Sequence, residues 1–93
     1  MSSRDVVWLP IVREKLLQFR SRYFTSEETL DFIYLFILET EELLKNNVIA
    51  KTYTEEYGRY KGLSRIIIKK FRVYFKIELD NVIILAILFP GEN

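Results

Sequence analysis

Arg72, Tyr74 and Lys76 are the residues of this chain whose types and spacing most clearly suggest chemistry. They lie two residues apart in an alternating apolar–polar run, so in a β-strand their side chains would project from one face. Two cations beside a phenol could hold a phosphate group or an acidic strip of a partner. Solvated sheet faces also alternate in this way without any function, so the sequence leaves both interpretations open.

These residues belong to a basic segment, residues 57–77, that contains seven bases and no acid. The seven bases are Arg59, Lys61, Arg65, Lys69, Lys70, Arg72 and Lys76. Residues 25–56, by contrast, contain eight acids and two bases, so the net charge of +1 conceals a strong separation of charge. The basic segment predicts a surface that binds a polyanion or an acidic partner.

Three further bases of this segment each have a simpler explanation as well. Arg65 lies in an apolar strand candidate, and an ion pair with Glu39 or Glu42 explains it as well as ligand contact does. Lys69 and Lys70 lie between two strand candidates, where solubility of a turn is the simpler explanation. We include all three as members of the predicted binding surface.

The polar segment before the basic strands contains three tyrosines: Tyr53, Tyr57 and Tyr60. Aromatic side chains interleaved with bases stack on nucleobases in single-strand-binding proteins. Loop tyrosines more often attach the loop to its own domain, and we prefer this second interpretation.

The composition excludes several kinds of catalytic site. The chain has no cysteine and no histidine, which removes thiolate chemistry, Ser–His nucleophiles and ordinary zinc sites. Glu39, Glu41 and Glu42 would lie on different faces of a helix, so we expect no metal site and no cofactor. The longest apolar runs are about nine residues, whereas a membrane helix needs roughly twenty. We therefore expect a cytoplasmic protein that does not contact a membrane.

The elements that would position the basic segment begin with a strand and a helix. Residues 6–9 are a short β-prone run, and Pro10 suits the first position of a helix because it lacks an N–H. Apolar residues then recur at helical spacing, so we expect the first helix to extend to about Tyr23. These apolar residues are Val12, Leu16, Phe19 and Tyr23.

A second helix is predicted after Thr25. Thr25 and Glu28 form a capping box, and the helical spacing continues to about Lys45, where Asn46 and Asn47 suit a helix end. Its apolar residues extend beyond a single stripe. We therefore expect this helix to be buried on more than one side, or to contact something besides its own sheet.

Three strand candidates follow, at residues 63–69, 71–79 and 82–89. In the middle one, alternate residues from Phe71 to Leu79 are apolar, and Asp80-Asn81 suits a type I′ hairpin turn. The last is apolar on both faces and should be central in the sheet. The sequence thus predicts one α+β domain, residues 1–93, with a short N-terminal strand, a two-helix hairpin and a three-stranded antiparallel meander. The helices are expected to pack on one face of the sheet.

This layout resembles the RelE/ParE superfamily, the toxins of bacterial type II toxin–antitoxin pairs. The likeness rests on residues 62–77, where a leucine and a base open the first strand of the meander, before a basic turn and an aromatic-rich strand. It continues through the acidic turn and the Ile/Val/Leu-rich strand of residues 80–88. Residues 6–8 match the frequent first strand of the family. The resemblance spans nearly the whole chain.

The resemblance implies one of two toxic activities. Some members cleave mRNA in the ribosome, others poison DNA gyrase, and nearly all are neutralised by an antitoxin that lies over the toxin. Arg65 and Arg72 fall where the nucleases keep bases that hold the scissile phosphate, and Tyr74 is a candidate catalytic phenol. The nucleases often have a C-terminal histidine, tyrosine or arginine, whereas this chain has Phe89 to Glu92 there. The sequence therefore departs from the nuclease pattern at the general acid or base and is closer to the ParE-like toxins.

We accordingly expect a toxin that acts by binding a macromolecular target, DNA gyrase rather than the ribosome with its mRNA, and that is not an enzyme. The predicted target-binding residues are Arg65, Lys69, Lys70, Arg72, Tyr74 and Lys76. The expected partner is a cognate antitoxin, and either a homodimer or a toxin–antitoxin hetero-oligomer fits. A ribosome-dependent endoribonuclease and a non-toxic protein-binding scaffold are the two alternatives.

Overall fold

The computed structural model describes residues 4–45 and 53–92, and in these ranges two helices pack against one mixed sheet. The elements in chain order are β1 (Asp5–Trp8), α1 (Pro10–Leu17), α2 (Ser26–Lys45), β2 (Tyr53–Thr54), β3 (Ser64–Ile68), β4 (Phe71–Glu78) and β5 (Asn81–Leu88). The predicted α+β class is confirmed. The predicted helix end at Asn46 and Asn47 lies outside the described residues.

The sheet has the strand order β1-β5-β4-β3-β2. Strands β3, β4 and β5 form the predicted antiparallel meander. Strand β1 runs parallel to β5, with Asp5 opposite Asn81 and Trp8 opposite Ile84, so β5 has a neighbour on each side, as its apolar sequence predicts. The short strand β2 was not predicted, and it pairs with the first two residues of β3.

Helix α1 is shorter than predicted, since it ends at Leu17 and not near Tyr23. Tight backbone hydrogen bonds close its end, from Gln18 N–H to the Lys15 carbonyl and from Phe19 N–H to the Leu16 carbonyl. The chain then turns, and the Phe19 ring packs between α2 and β4. Its centroid lies 5.8 Å from that of Phe32 and 5.1 Å from that of Phe71. The helical spacing therefore correctly predicted that Phe19 packs against the core, but Phe19 lies in the loop after α1 and not in the helix.

The predicted capping box at the start of α2 is confirmed. The Thr25 N–H donates to Glu28 Oε1 at 2.8 Å, and the Glu28 N–H donates to Thr25 Oγ1 at 3.1 Å. The buried face of α2 consists of Thr29, Ile33, Phe36, Thr40 and Leu44. The Thr40 hydroxyl donates to the Phe36 carbonyl at 2.7 Å, so this buried polar group has a partner.

The core lies between the helices and one face of the sheet, here called the inner face. Phe71, Val73 and Phe75 of β4 point into it, and the Phe36 ring of α2 lies 4.5 Å from that of Phe71. The predicted apolar alternation stops contributing to the core after Phe75, because Ile77 and Leu79 are exposed. Ile77 lies near the end of β4, and Leu79 lies in the turn that follows it.

The two hairpin turns of the meander differ from the predicted one. The turn between β4 and β5 is Leu79-Asp80, with Glu78 opposite Asn81, so the prediction of an Asp80-Asn81 turn is wrong by one residue. Only Leu79 has positive φ there, so the turn is not type I′. Lys69 and Lys70, between β3 and β4, have φ of 50° and 70°, the left-handed pair that a type I′ turn requires.

Helix α1 covers the part of β5 that β1 leaves open. Strand β1 ends opposite Ile84, and farther along β5 the Lys15 ammonium donates to the Ile87 carbonyl at 2.8 Å. The same ammonium lies 2.8 Å from Glu92 Oε1, which also accepts from the Phe89 N–H at 2.7 Å. These two hydrogen bonds, first that of Lys15 and then that of Phe89, lower the pKa of Glu92 below its ordinary value of 4.5. None of the helices in the described ranges has the length and apolar character needed to cross a membrane.

Candidate functional site

Four of the predicted site residues lie on the outer face of the sheet, the face away from the helices: Arg65, Arg72, Tyr74 and Lys76. Residues directly opposite in a sheet share a face, and β3 and β4 pair Arg65 with Tyr74 and Ile67 with Arg72. In β4, Arg72 and Tyr74 alternate with the core residues of the inner face, as the sequence predicts. The register therefore brings Arg65, Arg72 and Tyr74 together on one surface.

Tyr74 lies on this face but does not reach solvent, since only 2% of its surface is exposed. The Tyr60 ring covers it, with the two ring centroids 4.2 Å apart and the planes inclined by 16°. Tyr60 belongs to the covering loop, residues 55–63, whose ends are joined by a hydrogen bond from the Gly62 N–H to the Glu55 carbonyl at 2.8 Å. Tyr60 thus attaches its loop to the domain, and the Tyr74 phenol cannot meet a ligand while the loop is in place.

Arg65 has an acidic neighbour, but it is neither of the two that the sequence suggested. Its guanidinium lies 2.8 Å from Glu55 Oε1, in a close contact that is not aligned as a hydrogen bond, and 4.7 Å from the centre of the Tyr53 ring. Glu39 pairs instead with Lys69, at 3.4 Å. The expected pairing of Arg65 with Glu39 or Glu42 is therefore wrong, because the covering loop brings Glu55 to the edge of the sheet.

The remaining lysines of the predicted set lie in the β3–β4 turn (Lys69 and Lys70) and within β4 (Lys76). Lys69 pairs with Glu39 on α2 and so points toward the helices rather than the outer face. Lys76 pairs with Glu78 at 2.8 Å, and both side chains are largely exposed. Lys70 is exposed at the tip of the hairpin. Lys69 and Lys70 therefore lie apart from the arginines, whereas Lys76 shares the outer face with Arg72, as the sequence predicts.

Arg72 is the predicted site residue with the most distinctive surroundings. It is half-buried, and its cross-strand neighbours are Ile67, which is 61% exposed, and Leu88. Within residues 4–45 and 53–92, no carboxylate lies within 4.0 Å of its guanidinium. Arg72 and Ile67 together form a cationic and apolar patch in the open part of the outer face.

A groove of about 480 Å³ next to Leu88, the cross-strand neighbour of Arg72, adds a base of the basic segment that is outside the predicted target-binding set. Helix α1, the C-terminal half of β5 and the covering loop form its walls, and Arg59 and Tyr60 lie on the loop side. The loop can fold back over the sheet because Gly58 and Gly62 adopt φ of 82° and 88°, which other residues rarely adopt. The two glycines were the sequence signal for this fold-back, but they did not indicate its direction.

A second groove, of about 360 Å³, lies between the two helices and is mostly apolar. Its lining consists of Trp8, Leu16, Leu17, Ile33 and Ile37, with Arg13 and Glu41 at its margins. The Trp8 Nε1–H donates to Glu41 Oε2 at 2.8 Å across this region. The helices are therefore spread apart rather than packed along their length as a tight hairpin.

Comparisons with known proteins do not assign this chain to a family. No protein-family model, no curated protein and no solved structure matches the chain significantly. Within the described parts of the chain, no group of three or more histidine, cysteine, aspartate or glutamate side chains could hold a metal ion. What these residues define is a sheet face with an arginine and an apolar neighbour.

Proposed function

We propose that the chain is the toxin of a type II toxin–antitoxin pair and acts by binding a macromolecular target through the outer face of its sheet. DNA gyrase is the proposed target. The proposal rests on the resemblance of the strand and helix order to RelE/ParE toxins and on one structural observation, the position of Arg72.

Arg72 is the observation that supports the proposal most directly. A half-buried guanidinium with no carboxylate near it among the described residues can form charge-assisted hydrogen bonds with an incoming carboxylate or phosphate. Ile67 beside it supplies exposed apolar surface. Arginine is among the residues that most often contribute a large share of the binding energy in a protein interface.

The position of Tyr74 favours a binding toxin over a nuclease. A catalytic phenol must come within hydrogen-bond reach of the substrate, whereas Tyr74 lies under the Tyr60 ring. Near the C-terminal end, Phe89 packs against the Phe19 and Phe71 rings, and Glu92 is held by Lys15. None of these groups is arranged as a general acid or base beside Arg72.

We propose that the cognate antitoxin neutralises the toxin by laying an acidic segment over the same outer face. Four bases of the basic segment form no ion pair with described residues: Arg59, Lys61, Lys70 and Arg72. An acidic segment on the outer face would satisfy the charge of Arg72 and cover Ile67 at the same time. It would therefore compete with the target for Arg72.

Induced expression in a bacterial host tests the proposal. We expect arrest of growth by the wild-type chain, relief of the arrest when the adjacent open reading frame is co-expressed, and loss of the arrest in Arg72→Glu. Arg22→Glu, the same charge change on the exposed loop after α1, is the matched control and should remain toxic. Wild-type expression without arrest would refute the proposal.

The choice of target needs a separate measurement on purified components. A gyrase inhibitor slows DNA supercoiling by purified gyrase and leaves mRNA intact in a translation extract. Cleaved mRNA with normal supercoiling would instead identify a ribosome-dependent nuclease. A chain that arrests nothing but binds the neighbouring gene product would be a non-toxic scaffold.

A further inference from the structure

Helix α2 carries an apolar stripe that its own domain does not cover. Leu30, Tyr34 and Leu38 recur every four residues and are 60%, 62% and 45% exposed. They lie away from the buried face centred on Ile33, Phe36 and Thr40. We call these three residues the α2 stripe. Exposed apolar residues grouped in this way mark an interaction surface.

Opposite charges stand at the two ends of the α2 stripe. Glu27 precedes it and Lys45 follows it, and about 18 residues, or five helical turns, separate the two. A whole number of turns places both side chains on the same line along the helix, roughly 27 Å apart. The stripe is therefore acidic at one end, apolar in the middle and basic at the other end.

We propose that this stripe pairs with the same stripe of a second copy, with the two α2 helices antiparallel. Such pairing sets Glu27 against the partner's Lys45 and, by symmetry, Lys45 against the partner's Glu27. Both contacts are centred at the level of Phe36. Tyr34 against the partner's Leu38 has the same centre, so one two-fold register satisfies the charged and the apolar contacts together.

The other arrangements of two copies fit the charges less well. Parallel helices in register would place Glu27 beside the partner's Glu27, which is unfavourable. In the antiparallel register, Leu30 comes to the level of the partner's Glu42, with Glu41 one residue away. Glu41 tolerates this neighbour because its carboxylate is turned toward its own Trp8, 2.8 Å from Nε1.

A second copy suits the stripe better than a membrane surface. Asp31 and Glu42 border the apolar residues on the solvent side, and carboxylates there oppose binding to anionic lipid. The exposed area of three side chains is a few hundred Å² per copy, less than the roughly 800 Å² per partner of a standard interface. The dimer is therefore weak and dissociates on dilution.

The dimer does not depend on the proposed function. The α2 stripe is on the helical side of the domain, whereas Arg72 is on the outer face of the sheet. Two copies paired through α2 keep both outer faces accessible. A toxin with this dimer would present two target-binding faces, and a non-toxic chain could form the same dimer.

Sedimentation equilibrium on the purified chain between 1 and 500 µM (about two to three decades around a weak dissociation constant) tests the proposal. We expect the average mass to rise toward that of a dimer, and Tyr34→Glu to remain monomeric over the whole range. Ile11→Glu is the matched control, since Ile11 is 68% exposed on α1 and lies outside the α2 stripe. Far-ultraviolet circular dichroism establishes that each variant is folded.

A charge exchange tests the antiparallel register. Glu27→Lys and Lys45→Glu should each weaken the dimer by about five- to tenfold, and the double variant should restore most of the affinity. A wild-type chain that is monomeric at every concentration would overturn the dimer. Equal loss in Ile11→Glu and Tyr34→Glu would overturn the choice of surface, and failure of the double variant would overturn the register.

Discussion

The two faces of strand β4 are buried by different means. On the inner face, Phe71 meets the rings of Phe19, Phe32, Phe36 and Phe89, which come from α1's following loop, α2 and the end of β5. On the outer face, Tyr74 is buried just as deeply, but by the Tyr60 ring of a single loop. Tyr74 therefore depends on one loop for its burial, and we expect movement of that loop to uncover the outer face while the domain stays folded.

The largest effect that tests this comparison is expected on the inner face. Phe71→Ala removes a fully buried ring from a cluster that cannot collapse easily, and we expect the free energy of unfolding to fall by about 3–5 kcal/mol. Urea denaturation followed by Trp8 fluorescence measures the change. A loss below about 1 kcal/mol would show that the inner face is no better supported than the outer face.

The corresponding change on the outer face is Tyr60→Ala, for which we expect a smaller loss of about 1–2 kcal/mol. It removes one stacked pair and exposes Tyr74, but it leaves the helices and the inner face unchanged. Tyr60→Phe keeps the ring and is the control. Faster hydrogen exchange restricted to residues 55–63 and the neighbouring part of β4 would show that the loop opens on its own. Exchange that rises equally across the domain would contradict the comparison.

A third prediction concerns the β3–β4 turn, where relief of backbone strain should stabilise the domain. Lys70 has φ of 70°, a conformation that glycine adopts without the steric cost of a Cβ atom. We expect Lys70→Gly to raise the free energy of unfolding by about 0.5–1 kcal/mol. Lys70→Ala removes the charge but not the strain. A gain in the alanine variant alone would attribute the effect to charge.

The smallest expected effect concerns the edge of the sheet next to α1, and it depends on pH. The lowered pKa of Glu92 means that its ionised form contributes stability above the ordinary pKa of 4.5. That contribution is lost as the pH falls through the lower folded-state pKa. The partly exposed Lys15–Glu92 pair is worth little because solvent screens it. Glu92→Gln should therefore be slightly less stable than wild type at pH 7 and equal to it at the acidic end of a thermal-unfolding series.

Local signals in the sequence predicted most of the fold. The Thr25–Glu28 capping box, the alternation from Phe71 to Phe75 and the apolar run of β5 all depend on neighbours within a few residues. Elements defined by such short-range patterns were located to within one or two residues. The turn was predicted one residue too late because Asp80 and Asn81 both tolerate positive φ. Leu79, which does have positive φ, is a residue type that rarely adopts it.

The candidate site was harder to predict because its details depend on contacts between distant residues. Alternation placed Arg72 and Tyr74 on one face, but nothing near Tyr74 indicated that Tyr60 would cover it. The acids of α2 suggested an ion pair between Arg65 and that helix. Arg65 instead pairs with Glu55, which the fold-back of the covering loop brings to it. A basic segment thus predicts a surface but not which of its bases are already neutralised.

The parallel pairing of β1 with β5 affects how the chain reaches this structure. Asp5 pairs with Asn81, so β1 cannot join the sheet until nearly all of the intervening elements have been synthesised. The meander can form earlier, since its strands are joined by tight turns. The closing of this long loop completes the domain and should be among the latest folding events. On the ribosome, the nascent chain would therefore expose Val6 and Trp8 until β5 emerges, a period in which an early-binding partner or chaperone could protect it.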